Sequence, residues 1–239
     1  GFYVRTPEGV AAIASLARCG ETLSFVGNQD TFDYNDFLVS PGYEAQFFDN
    51  LLGSFEEQGC NVLKLDSLIE TSPTLAHLPE LARQRGYTVE VEQEDVTAGT
   101  KLPPTWDEYL SSLSKKDRHE LRRKFRRLEE GAKWRWYVVT GPEEVAGRIE
   151  DFIRLMGQSR KDKEEYLTPV RERFFHRITE RMAQLGLVRL FFLEVDGQPA
   201  ATSLCFDYAY SRLLYNSGYN PEYSYYSVGL LLNALCLQE

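Results

Sequence analysis

The most informative part of the chain is residues 186–232, which read GLVRLFFLEVDGQPAATSLCFDYAYSRLLYNSGYNPEYSYYSVGLLL. The apolar run 187–195 ends at Asp196-Gly197, a dipeptide that supplies positive φ in a two-residue hairpin. Residues 199–208 and 211–219 follow with strand-like composition. This pattern predicts three consecutive strands joined by tight connections.

The third strand leads, through an aromatic loop at 219–226, into Ser227, Val228, Gly229 and Leu230. A helix is predicted to begin here, and the first N–H groups of a helix have no partner within it. The positive end of the helix dipole lies at the same point. The sequence therefore predicts a binding site for an anionic or phosphate-bearing ligand at the start of this helix.

The rest of the chain predicts two α/β modules. The chain has 239 residues, of which 43% are hydrophobic, enough for one large domain or two smaller ones. The polar segment 92–100, followed by Pro103-Pro104, predicts a boundary between domains 1–100 and 101–239. Strands alternating with helical patterns favour the α/β class.

Hydrophobic spacing gives the elements of each module. In the first module, helices are predicted for 7–18, 43–58 and 72–85, strands for 21–26, 61–65 and 87–91, and a loop for 30–38. In the second module, helices are predicted for 105–113, 114–130, from 141 onward and for 169–185, a strand for 134–139, and a charged break for 160–165.

The predicted helix 114–130 is strongly basic. The chain carries a net charge of −9, yet residues 115–135 contain ten basic and four acidic side chains. Leu121, Phe125 and Leu128 give this helix one apolar stripe. Three interpretations stay open: a solvated helix, a phosphate-binding helix that uses arginine forks, or a surface for a nucleic acid such as tRNA. In the phosphate-binding interpretation, the binding residues would be Arg118, Arg122 and Arg126. Because the rest of the chain is acidic, we do not expect a general nucleic-acid-binding protein.

The four cysteines form no C-x-x-C pair and no cluster with the three histidines. This spacing favours free thiols in the reducing cytoplasm and predicts no metal site. No run of eighteen apolar residues occurs, so no membrane span is predicted. No apolar segment follows the first residues, so no signal peptide is predicted either.

From about residue 103 onward the chain resembles the GNAT acyltransferase superfamily. The resemblance is carried by the basic helix, the two helices after it, the hairpin at 195–201, and the stretches 215–219 and 226–229. Within the superfamily it is most similar to the CelD-like acetyltransferases, associated with cellulose biosynthesis and related to the FemAB-type transferases. The resemblance implies tandem GNAT-like domains, each a mixed sheet flanked by helices. The first domain would be degenerate, and the second would end before its last strand and helix.

The resemblance also implies an activity. An acyl group, typically acetyl, would pass from acyl-CoA to an amine or hydroxyl of a sugar or envelope-related acceptor, by direct attack in a ternary complex. The residues implied to bind the donor are Tyr215, Asn216, Gly218, Ser227, Val228, Gly229 and Leu230. Asp207 is a candidate general base, a backbone N–H near Ser217 or Gly218 is the candidate donor to the thioester oxyanion, and Tyr219 is a further catalytic candidate. A surface acid at Asp207 and core packing by the tyrosines stay open as alternatives.

Two positions of the phosphate loop differ from the family's pattern, Gln/Arg-x-x-Gly-x-Gly/Ala. Tyr226 stands at the first place and Leu231 at the last. The size of Leu231 predicts a restricted approach for a pyrophosphate. Two other functions therefore stay open: aminoacyl transfer from tRNA, as in FemAB-type members, and a non-catalytic scaffold that keeps the fold.

Overall fold

A computed structural model describes residues 2–27, 31 and 33–239 of the chain. The chain divides into two compact units, Gly1–Thr100 and Lys101–Glu239. Each unit has its own core. Within the described residues, no helix combines the length and the hydropathy that crossing a bilayer requires.

The N-terminal unit contains two three-stranded sheets and two helices. Its elements are β1 (Phe2–Thr6), β2 (Gly9–Ala14), β3 (Leu16–Cys19), β4 (Thr22–Phe25), β5 (Leu38–Val39), α1 (Glu44–Glu57), β6 (Val62–Lys64) and α2 (Pro73–Gln84). The sheet orders are β1-β2-β5 and β3-β4-β6. All pairs are antiparallel except β4 with β6. Phe47 and Phe48 of α1 are fully buried in the core of this unit.

Two predictions in this unit are wrong. Residues 7–18, predicted as a helix, form the turn after β1, then β2 and most of β3. Thr6 pairs with Gly9 across this turn, and Gly9 has a φ of 141°, which favours glycine. Residues 87–91, predicted as a strand, have no regular structure, although Tyr87 packs its ring against Phe55.

The other predictions here are confirmed. The helices 43–58 and 72–85 are α1 and α2, and Ser72 caps α2 by accepting the N–H of Thr74. The strands 21–26 and 61–65 are β4 and β6. Of the predicted loop 30–38, Asp30 and Phe32 lie outside the described residues, and Leu38 belongs to β5.

The C-terminal unit is built around one four-stranded antiparallel sheet in the order β10-β9-β8-β7. Its elements are α3 (Trp106–Ser112), α4 (Lys115–Gly131), β7 (Trp134–Val139), α5 (Pro142–Ser159), α6 (Lys161–Tyr166), α7 (Pro169–Gln184), β8 (Val188–Val195), β9 (Gln198–Tyr208), β10 (Ser211–Tyr219), a 3₁₀ helix (Pro221–Tyr226) and α8 (Val228–Gln238).

Both faces of this sheet are covered. Phe191 and Leu193 of β8 face a cluster that includes residues of α3, α4 and α8. Leu190 and Phe192 face the opposite cluster, built with α5 and α7. A strand buried on both faces is apolar at nearly every position, which explains the continuous apolar run in β8.

The predicted helices and strands of this unit are confirmed. The three strands 187–195, 199–208 and 211–219 are β8, β9 and β10, and Asp196-Gly197 forms the predicted turn with positive φ at both residues. Two segments predicted as irregular are helical: the charged break at 160–165 is the short helix α6, and the aromatic loop at 219–226 contains the 3₁₀ helix. The predicted α/β class is confirmed.

Candidate active site

The edge strand β10 contains a β-bulge at Tyr215, between the pairs Leu214–Cys205 and Asn216–Leu204. Such bulges bend a strand and are common beside active sites. The ring of Tyr215 packs against Phe175 and Phe206, with centroids 6.1 and 5.4 Å away. The structure thus directs this predicted donor-binding side chain into the core.

Beyond the bulge, the backbone of β10 presents an open edge. The N–H of Asn220 donates to the carbonyl of Ala200 at 2.9 Å, so the polar groups of Asn220 point toward β9. Antiparallel pairs alternate, so the polar groups of Gly218 point toward β9. Those of Ser217 and Tyr219 point toward the open edge. Of the two predicted sources of an oxyanion-binding N–H, Ser217 therefore faces the open edge, where its N–H contacts Asn216 Oδ1 at 2.9 Å.

Gly218 is required by packing against α5. A Cβ at this position would lie 2.5 Å from the carbonyl carbon of Leu155 and closer still to the backbone of Met156. Backbone atoms cannot move aside as the end of a flexible side chain can. The contribution of Gly218 is therefore to bring β10 onto α5, and this contact fixes where the edge of β10 lies.

At the start of α8, the backbone forms a concave arrangement of N–H groups. Ser227 has φ 59° and ψ 38°, in the left-handed region, and the helical residues follow at once. Successive N–H groups in such a turn converge on one point and can bind an anion. The first intrahelical bond runs from Leu231 N to Ser227 O. The N–H groups of Val228, Gly229 and Leu230 precede this bond, so they have no acceptor within the helix.

This helix start lies next to the end of β10. A Cβ at Gly229 would lie 3.4 Å from Cδ1 of Tyr219, so the glycine leaves a narrow space beside that ring. The structure therefore brings together the open edge of β10 and the first turn of α8, which the sequence had named separately as donor-binding segments.

The predicted obstruction by Leu231 is wrong. Its side chain is fully buried in the cluster that includes Leu128 and Phe191, because the helix turns it away from the free N–H groups. Leu230, by contrast, is about half exposed, at 51%. The first turn of α8 is open to a ligand from the solvent side.

The basic helix α4 contributes Lys124 and Arg127 to this site. Lys124 Nζ donates to Ser227 Oγ at 2.8 Å and also pairs with Glu120 at 3.4 Å. Arg127 donates to the carbonyl of Tyr225 at 2.7 Å and lies 4.8 Å over that ring. Two cations thus lie beside the helix start, which raises its attraction for an anion.

The arginines that the sequence named on α4 lie elsewhere. Arg122 and Arg126 are exposed and each lies about 160° around the helix axis from Lys124, at 100° per residue. Arg118 instead donates to the carbonyl oxygens of Leu110 and Ser111 at 3.2 and 3.4 Å, at the end of α3. The structure does not bring these three arginines to the start of α8.

Asp207 also lies apart from the site. It pairs with Arg212 across β9 and β10 through two bonds of 2.8 Å, and Arg189 lies 3.2 Å away. The hydrogen bonds from Arg212 lower the pKa of Asp207, against the opposing effect of burial. Asp207 is five residues from Thr202, the partner of Gly218, or about 16 Å along the strand. A carboxylate held ionised by two guanidinium groups is a poor general base.

Lys163 was missed by the sequence reasoning. It lies on α6, and its Nζ contacts Asn216 Oδ1 at 2.9 Å and the carbonyl of Ser217 at 2.5 Å. Burial lowers the pKa of this lysine. No local pattern marks it, since its contacts lie more than fifty residues away in the chain. A weak indication of Lys124 and Arg127 was present in the sequence, because both lie next to the buried stripe of α4, close to Leu128.

Comparison with known proteins identifies the unit that carries this site. A family described as "Acetyltransferase (GNAT) domain" matches residues 115–239, just over half of the chain. No curated protein matches the chain. The chain belongs to the GNAT acetyltransferase family, and an acyl transfer function follows from that membership. GNAT acetyltransferases generally use acetyl-CoA as the acyl donor.

The residues at this site fit such a donor. Its diphosphate needs several N–H donors and positive charge. The left-handed turn at Ser227, the first N–H groups of α8 and Lys124 supply them. Its thin amide-containing arm needs backbone groups that are free to pair at a strand edge. Tyr219 presents its backbone groups at the edge of β10, whereas the N–H and the carbonyl of Ser217 already contact Asn216 and Lys163. The space that Gly229 leaves beside Tyr219 would be filled by any Cβ.

Proposed function

We propose that the protein transfers an acyl group, most simply acetyl, from acyl-CoA to an amine or hydroxyl of a saccharide or envelope-related small molecule. The acceptor attacks the thioester directly in a ternary complex. The observation that carries this proposal is the joint presence of the open edge of β10, the free N–H groups of α8, and Lys124 on Ser227. A cytoplasmic location and a degenerate GNAT-like N-terminal unit belong to the same proposal.

The donor would be held by this chain's own backbone and by α4. Val228, Gly229 and Leu230 donate N–H groups to its phosphates, and Lys124 neutralises their charge. Tyr219 pairs with its arm along β10, next to Ser217, whose own N–H and carbonyl contact Asn216 and Lys163. When bound, the donor supplies an electrophilic thioester carbonyl. The protein orients that carbonyl at the strand edge, where backbone N–H groups can stabilise the developing negative charge.

The acceptor would approach from the face of α5, α6 and α7. An open cavity of about 360 Å³ lies between these helices, within the size range of small-molecule sites. Its polar lining includes Gln158, Glu164 and Glu172, and its apolar lining includes Ile153 and Leu167. Carboxylate and amide groups accept hydrogen bonds from hydroxyl and amino groups, which supports a sugar or amino-sugar acceptor, as in the CelD-like branch.

Isothermal titration of the protein with acetyl-CoA tests the donor site. We compare the unchanged protein, Lys124→Gln, and the matched control Arg122→Gln on the opposite side of the same helix. Losing one charge-assisted contact should weaken binding about tenfold or more in Lys124→Gln. Arg122→Gln should bind acetyl-CoA as the unchanged protein does.

The same titrations separate the other two functions. Binding of aminoacyl-tRNA that is lost with Arg122→Gln, without acetyl-CoA binding, would favour the FemAB-like alternative and contradict the proposal. No heat with either donor at millimolar concentration would favour a scaffold. Equal loss of acetyl-CoA binding in both variants would mean that general charge, rather than the Lys124 position, attracts the ligand.

A further inference from the structure

Lys163 lies at the open edge of β10, held there by α6. Its Nζ contacts the carbonyl oxygen of Ser217 and Oδ1 of Asn216 at 2.5 and 2.9 Å. At about 3.3 Å per residue, Ser217 lies about 7 Å along the strand from Tyr219, whose ring lies against Gly229. Lys163 therefore lies on the acceptor side of the edge to which the donor is assigned.

The hydrogen bonds of Lys163 orient its amine. Both of its partners are oxygens that only accept, and Asn216 Oδ1 already accepts the N–H of Ser217 at 2.9 Å. A lysine ammonium has three N–H donors, and the neutral amine has one fewer and a lone pair. In the neutral form, these two bonds would use both hydrogens of the amine. The lone pair would then point away from the two oxygens of β10.

The surroundings of Lys163 lower its pKa below the ordinary range of a lysine. Burial lowers the pKa of this lysine, the positive charge of Arg160 lowers it further, and Asp162 acts in the opposite direction. Arg160 contacts both carboxylate oxygens of Asp162, at 2.9 and 2.8 Å, so much of that negative charge is balanced. Lysines tuned in this way serve as bases in enzymes.

We propose that Lys163 is the general base of the transfer reaction and takes the proton that the acceptor amine loses. This inference rests on the proposed function. As the acceptor nitrogen bonds to the thioester carbonyl carbon and the carbon–sulfur bond breaks, one N–H proton passes to the lone pair of Lys163 Nζ. The ammonium so formed returns the proton to the departing thiolate or to water, and the amine is ready again.

The test compares Lys163→Arg and Lys163→Met with Lys161→Arg. Lys161 lies on the same helix, its side chain is 86% exposed, and it pairs with Glu165 at 3.7 Å. The first readout needs no donor: the protein is labelled with ¹³C at lysine Cε, and each lysine is titrated by NMR. The two variants to arginine assign the resonances of Lys163 and Lys161. The second readout is acetyl-CoA affinity by calorimetry, and the third is thiol release from acetyl-CoA with glucosamine as acceptor.

We expect Lys163 to titrate at lower pH than Lys161. Lys163→Arg keeps a donor to Ser217 and Asn216 but has no proton-accepting form at accessible pH. It should bind acetyl-CoA normally and lose about 10²-fold or more in kcat. Lys163→Met should lose activity similarly, and Lys161→Arg should keep it.

Two outcomes would overturn the assignment. One is a Lys163 resonance that titrates together with Lys161 or above it, and this readout applies even if glucosamine is not turned over. The other is full activity in Lys163→Arg, which would reduce the lysine to a positioning cation. Failure of acetyl-CoA to bind the unchanged protein would instead contradict the proposed function. The NMR titration of Lys163 needs no donor and would still show whether its pKa is lowered.

Discussion

Lys124 and Ser227 lie 103 positions apart in the chain and share a hydrogen bond of 2.8 Å. The lysine side chain is only 18% exposed, and Ser227 is the left-handed residue from which α8 begins. A serine in this region is uncommon and carries backbone strain. The pair therefore joins the charged helix to the strained turn that presents the free N–H groups of α8.

Ser227→Gly removes the strain and the hydrogen bond to Lys124 together. Relief of the left-handed strain should raise the free energy of unfolding by up to about 1 kcal/mol, and loss of the hydrogen bond should lower it by about 0.5–1.5 kcal/mol, so the net change should be small. The affinity for acetyl-CoA should fall, since Lys124 loses its anchor. Urea unfolding and calorimetry measure the two effects.

Tyr210→Gly is the matched control for this variant. Tyr210 also has positive φ, 63°, in the turn between β9 and β10, and it is fully exposed. It loses no contact with Lys124, so it should gain up to about 1 kcal/mol of stability with unchanged acetyl-CoA affinity. A loss of affinity in both variants would show that the effect does not come from the Lys124 contact.

Gly218→Ala should destabilise the C-terminal unit strongly. The added Cβ would overlap the α5 backbone at Leu155 and Met156, and overpacking against main chain should cost about 3 kcal/mol or more. Gly229→Ala meets only an ordinary contact of 3.4 Å to Tyr219 and should change stability by less than about 1 kcal/mol. Thermal unfolding of both variants decides this; equal melting temperatures would contradict the close approach of β10 to α5.

Asp207→Asn should reduce stability in a pH-dependent way. The hydrogen bonds from Arg212 lower the folded-state pKa of Asp207, so its ionised form contributes stability above the unfolded pKa of about 3.9. Losing this charged pair should cost about 1–3 kcal/mol at neutral pH.

The stability difference between the unchanged protein and Asp207→Asn should shrink as the pH falls below about 4 and through the depressed folded pKa. Urea unfolding at several pH values measures it. A constant difference across that range would contradict the ion pair, and loss of acetyl-CoA binding would contradict the separation of Asp207 from the donor site.

The strands of the C-terminal unit could be predicted because their signals are local. The Asp196-Gly197 turn fixes one hairpin, and the apolar run before it marks a strand covered on both faces. The start of α8 could likewise be read from a strand, a loop and a new apolar helix. Residues 7–18 were predicted wrongly because their apolar residues fit a helix, whereas Pro7 and Glu8 form a hairpin turn and Gly9 begins β2.

Of the candidate site, the sequence could indicate only the parts formed by backbone N–H groups. Ser217 and the first turn of α8 were named from the sequence, since strand edges and helix starts expose N–H groups wherever they occur. Lys124 and Lys163 reach the site through contacts between distant parts of the chain, which no spacing reveals. The arginines named on α4 lie away from the start of α8, and the sequence shows a charged helix but not which side of it meets α8.

The most direct test of the account is to map acetyl-CoA onto the protein by ¹⁵N NMR. The amide signals of Val228, Gly229 and Leu230 should shift most on titration, together with those of Ser217 and Tyr219 at the edge of β10. The exposed arginines Arg122 and Arg126 should keep their shifts. Saturation with no change in the amides of α8 and β10, or shifts confined to other parts of the chain, would contradict a donor site at the Lys124–Ser227 contact.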